Sequence, residues 1–243
     1  MPSTMTCVDR ASGQPKLAFG TDDGRILLWD SKTGKMRLFG RPTEKAISQI
    51  QVSADATMAM TGGIDGSVRI WDLSKADASE SLAALGGVIR GLALAPDGRH
   101  AVAVAASGVA ILVDVRAQRM IRRVNLNRPL HSVAWSADGE QLVIGGNRGS
   151  LHLYGRGLVQ PISQIEAHNG AVVGALFSPS GKRVITIGND DQVAFSNLVT
   201  GRSGAILYGS HSSALRDLAI SPDGRALATC DAGGEIRIWS VAK

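Results

Sequence analysis

The chain has 243 residues, 44% apolar and 19% charged, with 29 Gly and a formal net charge of +5. That balance describes a globular chain rich in turns, long enough for a substantial core, whose mild basic excess permits acidic partners without demanding them. Two cysteines without CxxC spacing, Cys7 and Cys230, imply neither a disulfide framework nor a zinc site.

Met1–Thr6 shows no basic region followed by an apolar core, so no signal peptide is read there. The most apolar run, Ala101–Val113, is short of the roughly 20 residues of a membrane span and is broken by Ser107-Gly108. A cytoplasmic setting is the default expectation.

Taken in order, the chain states one phrase six times. Asp23-Gly24 leads to Trp29-Asp30, Asp65-Gly66 to Trp71-Asp72, and Ser107-Gly108 to Val113-Asp114. Arg148-Gly149 leads to Tyr154-Gly155, Asp190-Asp191 to Ser196-Asn197, and Gly233-Gly234 to Trp239-Ser240. The closing positions 29, 71, 113, 154, 196 and 239 are separated by 42, 42, 41, 42 and 43 residues. In the clearest copy, Val68 and Ile70 alternate with Ser67 and Arg69, the period of a strand with one buried face. The Asp65-Gly66 pair reads as a two-residue hairpin turn with both central residues at positive φ. Fifteen residues before each closing position stands a second landmark: Gln14, Ala56, Gly98, Gly139, Gly181 and Gly224. Four of these end a reversal such as Pro96-Asp97-Gly98 or Pro222-Asp223-Gly224. Apolar runs before, between and after the landmarks make each repeat four short strands, with no helical pattern. Four-stranded sheets repeating at this interval predict an all-β chain, a β-propeller of antiparallel blades forming one domain over residues 1–243.

The phrases His211–Leu215, Ser221–Gly224 and Ile236–Trp239 resemble the WD-repeat propellers, and the resemblance covers essentially the whole chain. In that family a His, a Ser or Thr, an Asp and the Trp form a hydrogen-bonded tetrad. Carried over by position, repeat six offers His211, Thr229 and Trp239, with Gly233 at the Asp place. Repeat five offers His168, Thr186 and Asp190 but closes in Ser196; repeat two offers Thr61, Asp65 and Trp71 but has Thr43 for His. No blade is complete on this count, so burial between blades is expected to carry most of the stability. The resemblance also implies an outer strand for the last blade taken from the N-terminus. Here repeat one starts in its innermost strand near Met5, which leaves either a three-stranded sixth blade or the C-terminal part of a seven-bladed ring. The second is favoured, because a bare edge invites pairing, and self-association through the open edge is expected.

No HExxH, GxSxG, GxGxxG or GxxxxGK[ST] occurs, and no cofactor is implied. His100, His131, His152, His168 and His211 are too dispersed for a local metal motif. Asp23, Asp65 and Asp190 suit hairpin turns better than a cation site. Arg116, Arg119, Arg122, Arg123 and Arg128 fall on or beside the outer strand of repeat three, where charge guards an edge. Without interleaved aromatic residues, that patch makes nucleic acid an unlikely ligand.

The innermost strands carry the partner expectation. Their apolar positions fall nine, six and four residues before the second landmark; nine to six is out of step with a strand and calls for a bulge. The bulge is placed at the end holding the Asp-Gly turns, at the mouth of a central channel. The residues eight back are Thr6, Ser48, Arg90, His131, Val173 and Arg216. The resemblance implies a non-catalytic scaffold that presents its propeller faces to partner proteins, and Arg90, His131 and Arg216, with Ser48, are expected to anchor an acidic peptide or loop. The competing reading is a propeller hydrolase or lyase with a metal at the channel.

Overall fold

The computed structural model describes residues 3–241 except 12, 13, 41–43, 76–78, 199, 201 and 208–210. The chain divides into two compact units, Met1–Pro129 and Leu130–Lys243. In the first unit, blade one comprises β1 (Met5–Arg10), β2 (Lys16–Thr21), β3 (Ile26–Asp30) and β4 (Lys35–Gly40). Blade two comprises β5 (Ile47–Val52), β6 (Met58–Gly63), β7 (Ser67–Asp72) and β8 (Ser79–Ala84). Blade three comprises β9 (Ile89–Leu94), β10 (His100–Ala105), β11 (Val109–Asp114) and β12 (Arg119–Asn125). In the second unit, blade four comprises β13 (Leu130–Trp135), β14 (Gln141–Gly146), β15 (Ser150–Gly155) and β16 (Pro161–Glu166). Blade five comprises β17 (Val172–Phe177), β18 (Arg183–Gly188), β19 (Val193–Asn197) and β20 (Arg202–Leu207). Blade six has three strands among the described residues: β21 (Leu215–Ile220), β22 (Ala226–Asp231) and β23 (Ile236–Ser240). Each sheet is an antiparallel meander in sequence order, so the fold is that of β-propeller blades. No helix among the described residues is long and apolar enough to cross a membrane; one 3-10 turn, Asn147–Gly149, joins β14 to β15.

The hairpin turn differs from expectation in one respect. At Asp65-Gly66 only Gly66 takes positive φ, +81°, and its N–H donates to the Gly63 carbonyl at 3.1 Å. The loop is thus a type I turn ending in a left-handed glycine, which leaves Ile64 and Asp65 in ordinary conformations. Asp65 is favoured there for another reason: its carboxylate accepts the Ser67 N–H at 3.0 Å, closing a local turn.

Blades pack through register columns. Ile47, Ile89, Val172 and Leu215, nine residues before their landmarks, are buried. Ile89 sits against the backbone of Gly62 in the preceding blade, where an added Cβ falls 2.4 Å from Ile89 Cγ2. Glycine is required there to let the two blades approach. Beyond these columns, blades one and six leave apolar positions bare among the described residues. On blade one Val8 is 55% exposed, although its equivalents Ile50 and Leu92 are buried. On blade six Ile236 and Ile238 are 71% and 70% exposed, although their equivalents Val68, Leu151 and Val193, and Ile70, Leu112 and Leu153, are buried.

Candidate interaction surfaces

The tetrad residues serve structure. In blade six Trp239 Nε1–H donates to Thr229 Oγ1 at 2.9 Å, and Thr229 Oγ1 lies 2.7 Å from His211 Nε2. His211 Nδ1 lies 3.2 Å from Asp231 Oδ2. Giving each proton an acceptor makes the threonine donate to Nε2 and Nδ1–H donate to Asp231. This corrects the expectation that no blade is complete: Asp231, at the end of β22, supplies the carboxylate that Gly233 lacks. The Glu235 N–H, more than the His211 ring, holds the Asp231 carboxyl below its ordinary range. His211, Asp231 and Glu235 lie within metal-binding distance of one another. The relay, however, puts a proton on Nδ1 in place of a lone pair, and Arg237 Nε already donates to Glu235 at 2.6 Å.

Blade five joins His168 Nδ1 to Asp190 Oδ1 at 2.9 Å and Nε2 to Thr186 Oγ1 at 2.8 Å, and the Asn169 N–H donates to Asp190 at 2.8 Å. Ser196, at the tryptophan place, is buried with no partner for its hydroxyl among the described residues. In blade two Trp71 Nε1–H donates to Thr61 Oγ1 at 3.0 Å. Asp65 is engaged with Ser67, and Thr43 lies outside the described residues.

Every innermost strand is bulged where the sequence period breaks. The register shifts at Met5/Cys7, Ile47/Gln49, Leu130/Ser132, Val172/Gly174 and Leu215/Asp217, and opposite Ile89/Gly91 in blade three. The unpaired residue is Thr6, Ser48, Arg90, His131, Val173 or Arg216, level with the turn between the second and third strands. Their side chains differ in what they do. The Thr6 hydroxyl donates to the Ile47 carbonyl of the next blade, and the Ser48 hydroxyl reaches the Ile89 carbonyl at 2.7 Å. Ser48 is therefore a tie between blades two and three. His131 Nε2 lies 2.7 Å from Asn147 Oδ1. Arg90, in the first unit, and Arg216, in the second, are exposed, and neither has a hydrogen bond or ion pair among the described residues. The outer strand β12 exposes Arg119, Arg122 and Arg123, with Met120 and Ile121 between them.

A groove between blades one and two lies at the end of the blades away from the Asp-Gly turns. It encloses about 540 Å³, with Ala18, Leu28, Val52, Ala56 and Leu73 among its lining and Lys16, Asp30, Lys35 and Arg37 at its rim.

The family model described as "WD domain, G-beta repeat" matches residues 36–72 and 201–240, the stretches that end in the strands of Trp71 and Trp239. These two stretches are WD repeats. It is 23% identical over 239 residues to WD repeat-containing protein 1-B of Xenopus laevis, covering 97% of this chain and 39% of that protein. It is 26% identical over 227 residues to actin-interacting protein 1 of Drosophila melanogaster, covering 92% of this chain and 36% of that one. Against the serine-threonine kinase receptor-associated protein of Bos taurus the identity is 24% over 228 residues, covering 93% and 63%. This WD-repeat chain thus spans about two fifths of the first two relatives. Its fold matches the crystal structure of the computationally designed Ika8 protein with a TM-score of 0.81 at 19% identity, over 98% of this chain and 71% of that chain.

The groove between blades one and two is the surface that the repeat pattern does not announce. Its only sequence signal is a pair of small residues, Ala18 and Val52, at register places that hold Met60 with Leu94 and Val143 with Phe177 elsewhere.

Proposed function

We propose that this WD-repeat chain is a non-catalytic interaction module that captures acidic segments of partner proteins with arginines at the turn-bearing ends of its blades. One observation carries the reading. Of the six bulge residues, Thr6, Ser48 and His131 are engaged within the fold, whereas Arg90 and Arg216 stand exposed on bulges without a partner among the described residues. Bulges re-aim side chains, and a guanidinium presents a planar fork suited to carboxylates. WD-repeat relatives support the coarse role of a protein-interaction scaffold. A cytoplasmic setting belongs to the same proposal, and the free thiols of Cys7 and Cys230 suit a reducing compartment. So does self-association through the bare apolar faces of blades one and six. Nucleic acid is not the proposed partner, since β12 has no aromatic residue among its arginines.

The test is fluorescence anisotropy with a panel of labelled Glu- and Asp-rich peptides. Arg90→Ala and Arg216→Ala, singly and together, are expected to weaken binding about tenfold or more with unchanged melting curves. Binding is also expected to weaken with added salt. Undiminished affinity in the double variant refutes this site and moves attention to Arg119, Arg122 and Arg123.

A further inference from the structure

The groove between blades one and two lies where the side chains that meet across the blades are small. Within each unit, at blades one, two, four and five, the residue four past the landmark on the second strand packs toward the next blade, and the residue four before the next landmark answers it. Met60 shares a packed cluster with Leu94, Val143 with Phe177, and Ile185 with Ile220. Blade one presents Ala18 and blade two answers with Val52, the smallest of these pairs. Both residues line the groove of about 540 Å³, within the roughly 300–1,000 Å³ typical of ligand sites.

Its rim is organised by strand register. Lys16 pairs with Asp30, and Asp30 with Lys35, so these three share a row across β2, β3 and β4. The next row on the same face is Ala18, Leu28 and Arg37. Asp30 is already engaged, accepting the N–H groups of Lys32 at 2.9 Å and Thr33 at 3.0 Å. Three cations therefore border an apolar floor with one committed carboxylate among them. The Arg37 guanidinium carbon is held 5.4 Å from the centre of the Phe39 ring. Lys35 and Arg37 are two residues apart on one strand, about 6.8 Å, the spacing of side chains on one face of an extended peptide. A single small carboxylate does not span it.

We propose that this groove binds an extended acidic peptide, which inserts one apolar side chain between blades one and two and sets flanking carboxylates on Lys16, Lys35 and Arg37. The site is separate from Arg90 and Arg216 and does not rest on the reading given to them. The probe is fluorescein-labelled Glu-Glu-Leu-Glu-Glu, followed by anisotropy against the whole chain, with Glu-Glu-Ser-Glu-Glu and octanoate as comparisons. Saturable binding of the leucine peptide is expected, with the serine peptide about tenfold weaker or worse. Ala18→Met, which installs the residue of blade two at this position, is expected to fill the groove and abolish binding. Lys35→Ala with Arg37→Ala, both at the surface, is expected to weaken it at least about tenfold without changing the melting curve. Arg90→Ala with Arg216→Ala is expected to leave this binding unchanged. Equal binding of the serine peptide, or full binding by the Lys35/Arg37 double variant, overturns the proposal. So does saturable binding of octanoate in calorimetry without saturable binding of the leucine peptide, which identifies a small-acid pocket instead.

Discussion

The Trp71 indole and the Ser196 hydroxyl occupy one register position in blades two and five, with opposite consequences. Trp71 is 2% exposed, donates to Thr61, and packs edge-on against Phe39 with ring centres 6.0 Å apart. Trp71→Ala is expected to cost about 3–5 kcal/mol in denaturant unfolding, through the cavity left by a large buried ring. Ser196 is fully buried, its hydroxyl without a partner among the described residues, so Ser196→Ala is expected to stabilise by about 1 kcal/mol. An unchanged or lowered denaturation midpoint for Ser196→Ala refutes that account. Ser196→Trp is expected to destabilise, because an indole enters this buried place only by displacing neighbours.

At the scale of the element, the turns between first and second strands set both stability and its pH dependence. Asp97, in the turn between β9 and β10, accepts the N–H groups of Arg99 at 2.8 Å and His100 at 2.9 Å, and its other oxygen faces His100 Nδ1 at 2.7 Å. Burial alone raises this carboxyl, but the hydrogen bonds from His100 and Arg99 outweigh it and lower the pKa to about 2. A carboxyl depressed in the folded state contributes stability above its unfolded pKa, near 3.9, and loses it as pH falls toward the folded value. Asp97→Asn is therefore expected to flatten the fall in stability between about pH 4 and pH 2, measured by urea unfolding at each pH. A wild-type slope in that interval for the variant refutes the assignment. Packing between elements is tested at Gly62: Gly62→Ala is expected to cost on the order of 1–3 kcal/mol by pushing Ile89 out of the next blade.

For the whole molecule the bare apolar faces matter most. Ile236 and Ile238 on blade six and Val8 on blade one are exposed where equivalent residues of other blades are covered. Each copy of the chain carries both halves of a blade–blade contact, so concentration-dependent association is expected in light scattering. Ile236→Thr with Ile238→Thr is expected to suppress it with little change in folded stability, since both side chains are already in solvent. A wild-type chain that stays monomeric at every concentration refutes this.

What local spacing determines was readable from the residues alone. The strands, the turns and even the bulge in every innermost strand follow from counts along the chain, because a two-residue period leaves only a bulge to absorb an odd step. The positions of His168, Thr186 and Asp190 came instead from the resemblance to WD-repeat propellers, carried over by position. What depends on reach across space was not readable. Asp231 replaces the carboxylate sought at Gly233 because its side chain meets His211 from the end of a strand, a matter of direction that no spacing records. Whether a bulge residue is free was likewise undecided: Ser48 and Arg90 hold the same register place, yet one hydroxyl is bound to the next blade and the guanidinium is not. The groove is the furthest from the sequence. It is lined by residues distant along the chain, Ala18 and Val52 among them, and only the packing of one blade on another brings them around one cavity.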